Sequence, residues 1–239
     1  MTERMAGMAL WRTIETTLAG EIAAGLFKPG DRLPTEADLS RRFAVNRHTL
    51  RRAMAALADA GKVRIEQGRG TFVQEDVIEY PVSRRTRFSQ ILTAQHYHPH
   101  GELLRAIDLP ASAQVAQGLR IRGGQRVILL EIVGHADNRP ISIVNHYFPR
   151  ARFDGLIDSY KATRSITAAL ARHGVADYVR LETRTTARMP DEIEARILRQ
   201  SPRLPILVTE SINVDVDGRH IEYSTSRLAS ERVQIVFKP

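Results

Sequence analysis

Apolar positions recur at helical spacing through the first sixty residues and give way to β-prone runs beyond residue 88. Leu10, Ile14, Leu18 and Ile22 return every fourth residue with Trp11 beside them, predicting a helix over 8–24 that Gly25 ends. Trp11 reads as core on that stripe. Lys28-Pro29-Gly30-Asp31 is a turn, and Thr35 and Asp38 have capping-box spacing at the head of a helix running out near Phe43. After Ala44-Val45, Asn46 offers a second N-cap. A helix over 47–60 follows, with Leu50, Ala53, Met54 and Leu57 on its buried side and Gly61 as its stop. Two short β-prone runs, 62–65 and 71–73, are joined by Gln67-Gly68-Arg69-Gly70, a hairpin with a basic, flexible tip. Helix, tight turn, helix and hairpin make a winged helix-turn-helix over 1–74.

The second part, 88–239, changes period. Runs at 103–107, 127–135, 141–148, 178–188, 206–216, 220–227 and 233–237 are β-prone, with Asp137-Asn138-Arg139-Pro140 and Asp217-Gly218 as turns between neighbours. Two segments look helical, 165–173 and 190–200, the latter with Pro190 near N1 and Asp191, Glu192 and Glu194 in the first turn. Strand runs with hairpin connections imply an antiparallel sheet with helices on one side, so the fold class is α+β. Between the parts, 75–87 reads as a linker: three acids lie at Glu75, Asp76 and Glu79, then Pro81, then Arg84-Arg85-Thr86-Arg87.

Charge sharpens this reading. The chain carries +8 formally, with pI ≈ 10.3, which favours an anionic partner. From residue 39 to 58 there is no acid but five arginines, Arg41, Arg42, Arg47, Arg51 and Arg52. Arg47 and Arg51 lie one turn apart, as do His48 and Arg52, outside the apolar stripe. A basic helix face is ordinarily only a solvated one. Here it opens a helix after a tight turn, the geometry that sends side chains into a major groove. Arginine can also meet guanine O6 and N7 with two parallel bonds.

Composition sets limits on the chemistry. With 239 residues the chain can build two domains, and 43% hydrophobic with 26% charged residues is ordinary for a globular protein. No cysteine is present, which removes disulfide and thiolate chemistry and fits a reducing cytoplasm. The apolar stretch 6–11, broken by Gly7, is too short for a signal-peptide core or a membrane span, so a cytoplasmic location without membrane contact is expected.

These motifs resemble the GntR family of bacterial transcription regulators. Leu33-Pro34-Thr35-Glu36, the stretch Phe43-Ala44-Val45-Asn46-Arg47-His48-Thr49-Leu50-Arg51, Gly61 and Gly68-Arg69-Gly70-Thr71-Phe72-Val73 carry the likeness. The remainder resembles the HutC-type, or UTRA, effector domain of chorismate-lyase fold. That likeness rests on Arg87-Phe88-Ser89-Gln90, His98-Pro99-His100, Tyr147-Phe148-Pro149 and Ile221-Glu222-Tyr223-Ser224. Within this branch the wording is most similar to regulators of phosphonate metabolism. The resemblance implies a homodimer on a palindromic operator, controlled by a small anionic effector such as phosphate, a phosphonate or a phosphorylated metabolite.

By the same resemblance the DNA-contacting set is Thr35, Arg47, His48, Thr49, Arg51, Arg52 and the wing tip Gly68, Arg69 and Gly70. Arg47 and Arg51 would meet base edges, Thr49 and Arg52 phosphate or a neighbouring base. Many members carry arginine where this chain has Ala37, a contact alanine cannot make. The implied effector set is Arg87, Ser89, His135, Tyr147, Ser165, Glu222, Ser224 and Arg227. Ser165 opens a helix, where N–H groups favour an anion, although a serine there serves equally as an N-cap. Sugar-phosphate-binding relatives place two arginines around residues 132–134; this chain has Ile132, Val133 and Gly134, leaving His135, Arg87 or Arg227 as substitutes.

Other readings stay open. His96, His98 and His100 alternate and could hold a metal, but Pro99 interrupts them and neither an acid nor a cysteine stands beside them; no metal and no cofactor are expected. His146 could be a general base, yet no nucleophile elbow, HExxH or phosphate loop accompanies it. The expectation is a non-enzymatic, ligand-responsive repressor. The alternatives are a chorismate-lyase-like enzyme on a DNA-binding head and an effector-independent nucleic-acid-binding protein.

Overall fold

The computed structural model describes residues 2–237 except 67, 75, 76 and 86, with side chains from residue 10 onward. Gln67 of the expected turn, Glu75 and Asp76 of the expected linker, and Thr86 therefore lie outside the described residues. The chain divides into two compact units, Met1–Asp76 and Val77–Pro239.

The first unit is built from α1 (Thr2–Ala23), α2 (Glu36–Phe43) and α3 (Arg47–Asp59), followed by the hairpin β1 (Val63–Glu66) and β2 (Gly70–Val73). Local chemistry sets each boundary. Thr35 Oγ1 accepts from the Asp38 amide at 3.2 Å and donates to the Asp38 carboxylate at 2.6 Å, starting α2. Ala44 then turns left-handed at φ 50, its amide closing on Arg41 O and Ser40 O. Asn46 Oδ1 accepts from the Thr49 amide at 2.9 Å and starts α3. Leu50, Ala53, Met54 and Leu57 from α3 bury against Ile14 and Leu18 of α1 and Leu39 of α2. The extended segment before α2 lies alongside β2, with Leu33 N donating to Thr71 O at 2.8 Å and Val73 N to Asp31 O at 2.9 Å. That third extended segment pins the wing to the helical core.

The second unit opens with β3 (Ile78–Pro81), α4 (Phe88–Ala94) and β4 (Pro99–Pro110). It continues through α5 (Ala113–Leu119), β5 (Arg126–Ala136), β6 (Arg139–Pro149), α6 (Leu156–Thr163), α7 (Ile166–Arg172), β7 (Tyr178–Arg188) and α8 (Glu192–Ile197). It ends in β8 (Ile206–Asp215), β9 (His220–Ala229) and β10 (Val233–Val236). Six strands form one antiparallel sheet in the order β4-β5-β6-β9-β8-β7. The expected turns sit where predicted: Asp137 has φ 54 between β5 and β6, and Gly218 has φ 76 between β8 and β9.

One face of the sheet packs Ile128, Leu130 and Phe148 against Leu156 and Tyr160 of α6 and Ala169 and Leu170 of α7. On the other face α5 covers Val127 and Tyr223. The architecture is thus α+β, a winged helix-turn-helix head and an antiparallel-sheet domain.

The linker expected over 75–87 is corrected by the structure. Ile78–Pro81 pairs in parallel with β10, Val82 N donates to Val236 O at 3.0 Å, and Arg180 N donates to Arg84 O at 2.8 Å. Residues 77–87 therefore belong to the second unit. Three helices, α4, α5 and α6, go beyond the two expected there. Pro99, read as interrupting a strand, is instead the first residue of β4, an edge position that tolerates a missing N–H.

Candidate functional site

The first unit presents α3 with its apolar side down and its arginines sorted by partner. Arg42 pairs with Glu21 of α1, and the Arg52 guanidinium lies 4.8 Å from the Trp11 ring centre, so both fasten α1 to the pair of helices. Arg41 stays with Asp38 one turn back. Arg51 leans on Glu36, its Nε 3.0 and 3.2 Å from the two carboxylate oxygens, yet its side chain is 68% exposed. Arg47 and His48 stand exposed in the first turn, and Thr49 after them is half-buried. Thr35 is engaged as the α2 cap. At the wing, Gly68 and Gly70 have φ of 77 and 120, a backbone that suits glycine, and Arg69 between them pairs with Glu66. Arg32 lies under Gly70, its Nε 2.7 Å from where a β-carbon would be, so that glycine also gives room.

The second unit holds a cavity of about 520 Å³ between the polar face of the sheet and α4, α6 and α7. Of the eight expected effector residues, Arg87, Ser89, Ser165, Glu222 and Ser224 line it. His135, Tyr147 and Arg227 do not, and the strands' two-residue period explains the last two. His146 faces the cavity, so Tyr147 points to the opposite side, its ring 6.1 Å from Tyr223 in the core under α5. Glu222, Ser224 and Ser226 face inward, so Arg227 points away. There Arg227 donates to Asn145 Oδ1 at 2.9 Å and sits 3.6 Å from Glu194 and 3.8 Å from Glu131, its charge already balanced. His135 is buried beside the His100 ring, 5.7 Å between centres, where burial lowers its pKa. No trio of histidine or acidic side chains able to hold a metal occurs among the described residues.

Cations the sequence reading did not single out take the vacant places. Arg180 on β7 and Arg164 at the end of α6 line the cavity with Arg87. Arg180 is held by Asn213 Oδ1 at 2.7 Å and Ser211 Oγ at 2.8 Å. Arg87 donates to Tyr178 O at 2.6 Å while its guanidinium lies over the Tyr178 ring. Arg164, in the left-handed region at φ 54, reaches Gly101 O at 3.4 Å. Ser165 caps α7, accepting from the Ala168 amide at 3.3 Å. The alternation of Tyr178 and Arg180 along a predicted strand was the available signal for Arg180.

Glu222 is the acidic residue in the lining, 3% exposed. Its Oε1 lies 2.5 Å from His146 Nδ1 and its Oε2 accepts from Asn213 Nδ2 at 2.6 Å. Burial alone would raise the Glu222 carboxyl, but the His146 hydrogen bond, the Asn213 amide and Arg180 together hold it below the usual carboxylate range. Ser142, 1% exposed under the cavity, has an Oγ with no hydrogen-bond partner among the described residues. Gly134 stands opposite it: a β-carbon there would fall 2.4 Å from Ser142 Oγ and 2.7 Å from the Phe88 ring. The glycine thus lets α4 close onto the sheet.

Comparison with known proteins matches both units. The gntR family of bacterial regulatory proteins matches residues 10–73, and the UTRA domain matches residues 94–234. The chain belongs to the GntR family. It is a transcription regulator with a DNA-binding head and a UTRA effector domain. The regulator is 41% identical to the HTH-type transcriptional regulator RB1450 of Rhizobium meliloti over 98% of this chain and 97% of that one. It is 32% identical to the probable transcriptional regulator PhnF of Escherichia coli, covering 91% and 93% of the two chains. The crystal structure of PhnF from Mycobacterium smegmatis superposes with a TM-score of 0.65 at 25% identity, over 92% of this chain and 98% of that one. No helix among the described residues is long and apolar enough to cross a membrane.

Proposed function

We propose that this regulator is a cytoplasmic repressor that binds a palindromic operator as a homodimer and is controlled by a small anionic effector seated in the UTRA cavity. The observation that carries the effector reading is the lining charge. Three guanidinium groups, Arg87, Arg164 and Arg180, and one carboxylate, Glu222, line the cavity, and although Arg87 also lies 3.4 Å from Asp177 the lining keeps a net positive charge. A phosphate or phosphonate group supplies that complement, and arginine's planar fork suits its oxygens. The repressor reading is supported by 31% identity to a relative named as the mannosyl-D-glycerate transport/metabolism system repressor of Escherichia coli. The likeness of residues 45–52 and 87–90 to regulators of phosphonate metabolism favours a phosphonate among the anions.

On DNA, Arg47 and Arg51 read base edges from the first turns of α3, Thr35, His48 and Thr49 steady the helix on the backbone, Arg52 holds α1 beneath it through Trp11, and Gly68, Arg69 and Gly70 carry the wing. Effector binding changes the affinity for DNA through a coupling free energy between the two sites, and the same factor acts in both directions. Sequence-selected duplex, fluorescence anisotropy and a thermal-shift panel of phosphates and phosphonates test this together. A compound that both stabilises the protein and shifts operator affinity is the expected result. A protein whose operator affinity no anion alters, with equal binding to random duplex, would refute it.

A further inference from the structure

Behind the arginines, the cavity floor holds a hydrogen-bonded chain that the effector reading does not use. Asn213 Nδ2 donates to Glu222 Oε2 at 2.6 Å, and Glu222 Oε1 lies 2.5 Å from His146 Nδ1. A carboxylate can only accept, so the hydrogen between them sits on Nδ1. Among the described residues the other ring nitrogen, Nε2, has no hydrogen-bond partner, and the His146 side chain is 18% exposed along the cavity wall. The ring is steadied from its own strand by Phe148, stacked at 6.3 Å. The arrangement resembles a general-base dyad, yet the atom that faces Nε2 across the cavity would belong to the ligand.

We infer that His146 takes up one proton on Nε2 when a dianionic effector enters, so that the effector is held against an imidazolium as well as against the arginines. This rests on the anionic reading of the cavity. The proton comes from solvent, and no bond to the effector forms. The neighbouring charges make the uptake conditional on the ligand. Arg180 on β7, Arg164 after α6 and Arg87 beside α4, the last partly offset by Asp177 at 3.4 Å, oppose a further positive charge on the ring, while Glu222 on β9 favours it. Tyr178 on β7 and Tyr80 on β3 are pushed up by burial and stay uncharged, and His100 on β4 is the other imidazole in the lining. A dianion engages the arginines, cancels their opposition and presents an oxygen to Nε2. A neutral ligand of the same shape does neither. His146 is thereby the residue that favours a doubly charged oxyanion over its uncharged or protonated form.

Isothermal titration calorimetry of the full-length protein with sulfate and with methylphosphonate, in buffers of different ionisation heat, reads the proton directly. Sulfate does not titrate near neutrality, so any proton taken up with it goes to the protein. The expected result near neutral pH is a net uptake of up to one proton per sulfate, with affinity falling by up to about tenfold per pH unit as pH rises. His146→Asn keeps an amide for Glu222 and lacks the outer nitrogen. It should bind sulfate more weakly, take up no proton and show a flat pH profile. Glu222→Gln, which keeps the ring without the anion behind it, should move the uptake to lower pH. Sulfate binding by the wild-type protein with no proton uptake, or unchanged uptake in His146→Asn, would overturn the inference and leave the anion site standing. Failure of both anions to bind would overturn the anion site itself. If His146→Asn does not fold, the wild-type His146 ring resonance decides, because its titration midpoint must rise with sulfate and an unchanged midpoint refutes the idea.

Discussion

Arg51→Ala separates base reading from mere phosphate attraction. In the structure the Arg51 guanidinium rests on Glu36 at 3.0 Å while its side chain stays 68% exposed. An exposed ion pair of this kind is worth about 0.2–1 kcal/mol. A bidentate bond to guanine discriminates by roughly 1–3 kcal/mol. Exchange of Glu36 for a base is therefore favourable, and the loss on truncation falls at roughly fivefold to 150-fold in Kd for each half-site. Glu36→Gln, which removes the competing carboxylate, should tighten DNA binding by less than about 1 kcal/mol. Fluorescence anisotropy on the selected operator and on a scrambled duplex, each over a salt series, gives both quantities. Arg51→Ala should lose the larger factor on the operator alone, with little change in melting temperature because the side chain packs against nothing buried. Equal losses on the two duplexes, with the log–log salt slope reduced by about one unit, would mean a phosphate contact and refute base reading by this residue.

Other consequences follow from the cavity. Gly134→Ala forces Ser142 and Phe88 apart, and overpacking of about 1–3 kcal/mol should lower the melting temperature of the UTRA domain by roughly 2–12 °C; an unchanged melting curve would show that α4 is not seated there. Arg164→Ala leaves the fold in place, since among the described residues that side chain hydrogen-bonds to Gly101 O alone, and should weaken sulfate or methylphosphonate roughly tenfold to 150-fold by calorimetry, with unchanged affinity sinking its role. Glu222 sits below its ordinary range, so its contribution to stability is complete above about pH 4.5 and fades as acid protonates it. The melting-temperature gap between wild type and Glu222→Gln should therefore narrow on acidification below that pH, and a gap that widens would contradict the sign.

Much of the head was legible because its signals are local. The i, i+3, i+4, i+7 stripe of α3, the Asn46 cap and the glycines of the hairpin each lie within a few residues of what they specify. What the sequence could not say is which arginines are spoken for. Arg42 and Arg52 find their partners on α1, at Glu21 and Trp11, and those pairings exist only once the helices pack. In the second unit the long strands were legible from β-prone runs and their turns. β3 was not, because Ile78–Pro81 gains its identity from β10, about 150 residues onward, and sits among acids and a proline that resemble a linker. Helices α5 and α6 are short, one carrying Gly118 and the other starting after Gly155, and neither offers a full amphipathic repeat. Arg164 and Arg180 are isolated cations in sequence, and only the sheet and the α6–α7 turn bring them to one cavity.

The sheet beneath that cavity argues for a binding role by what it forgoes. Along neighbouring strands Ser142, Thr209, Ser211, Asn213, Glu222 and Ser224 are all buried, with Ser224 paired to Ser211 and Glu222 to Asn213 across the β8–β9 ladder. Stability alone would favour valine and isoleucine at such positions, since a buried polar group must recover its hydration through hydrogen bonds. The opposite face of the same strands does use aromatic and aliphatic residues, Tyr147, Tyr223 and Ile212 under α5. Local strand propensity would permit either choice, so the difference between the two faces is set by what each must meet. Where either face meets a helix, α5 on one side or α6 and α7 at one end of the other, it is apolar. The rest of the cavity face gathers a Ser142 hydroxyl with no partner among the described residues, three guanidinium groups and an ionised Glu222 around one cavity, a lining whose complement is a polar ligand.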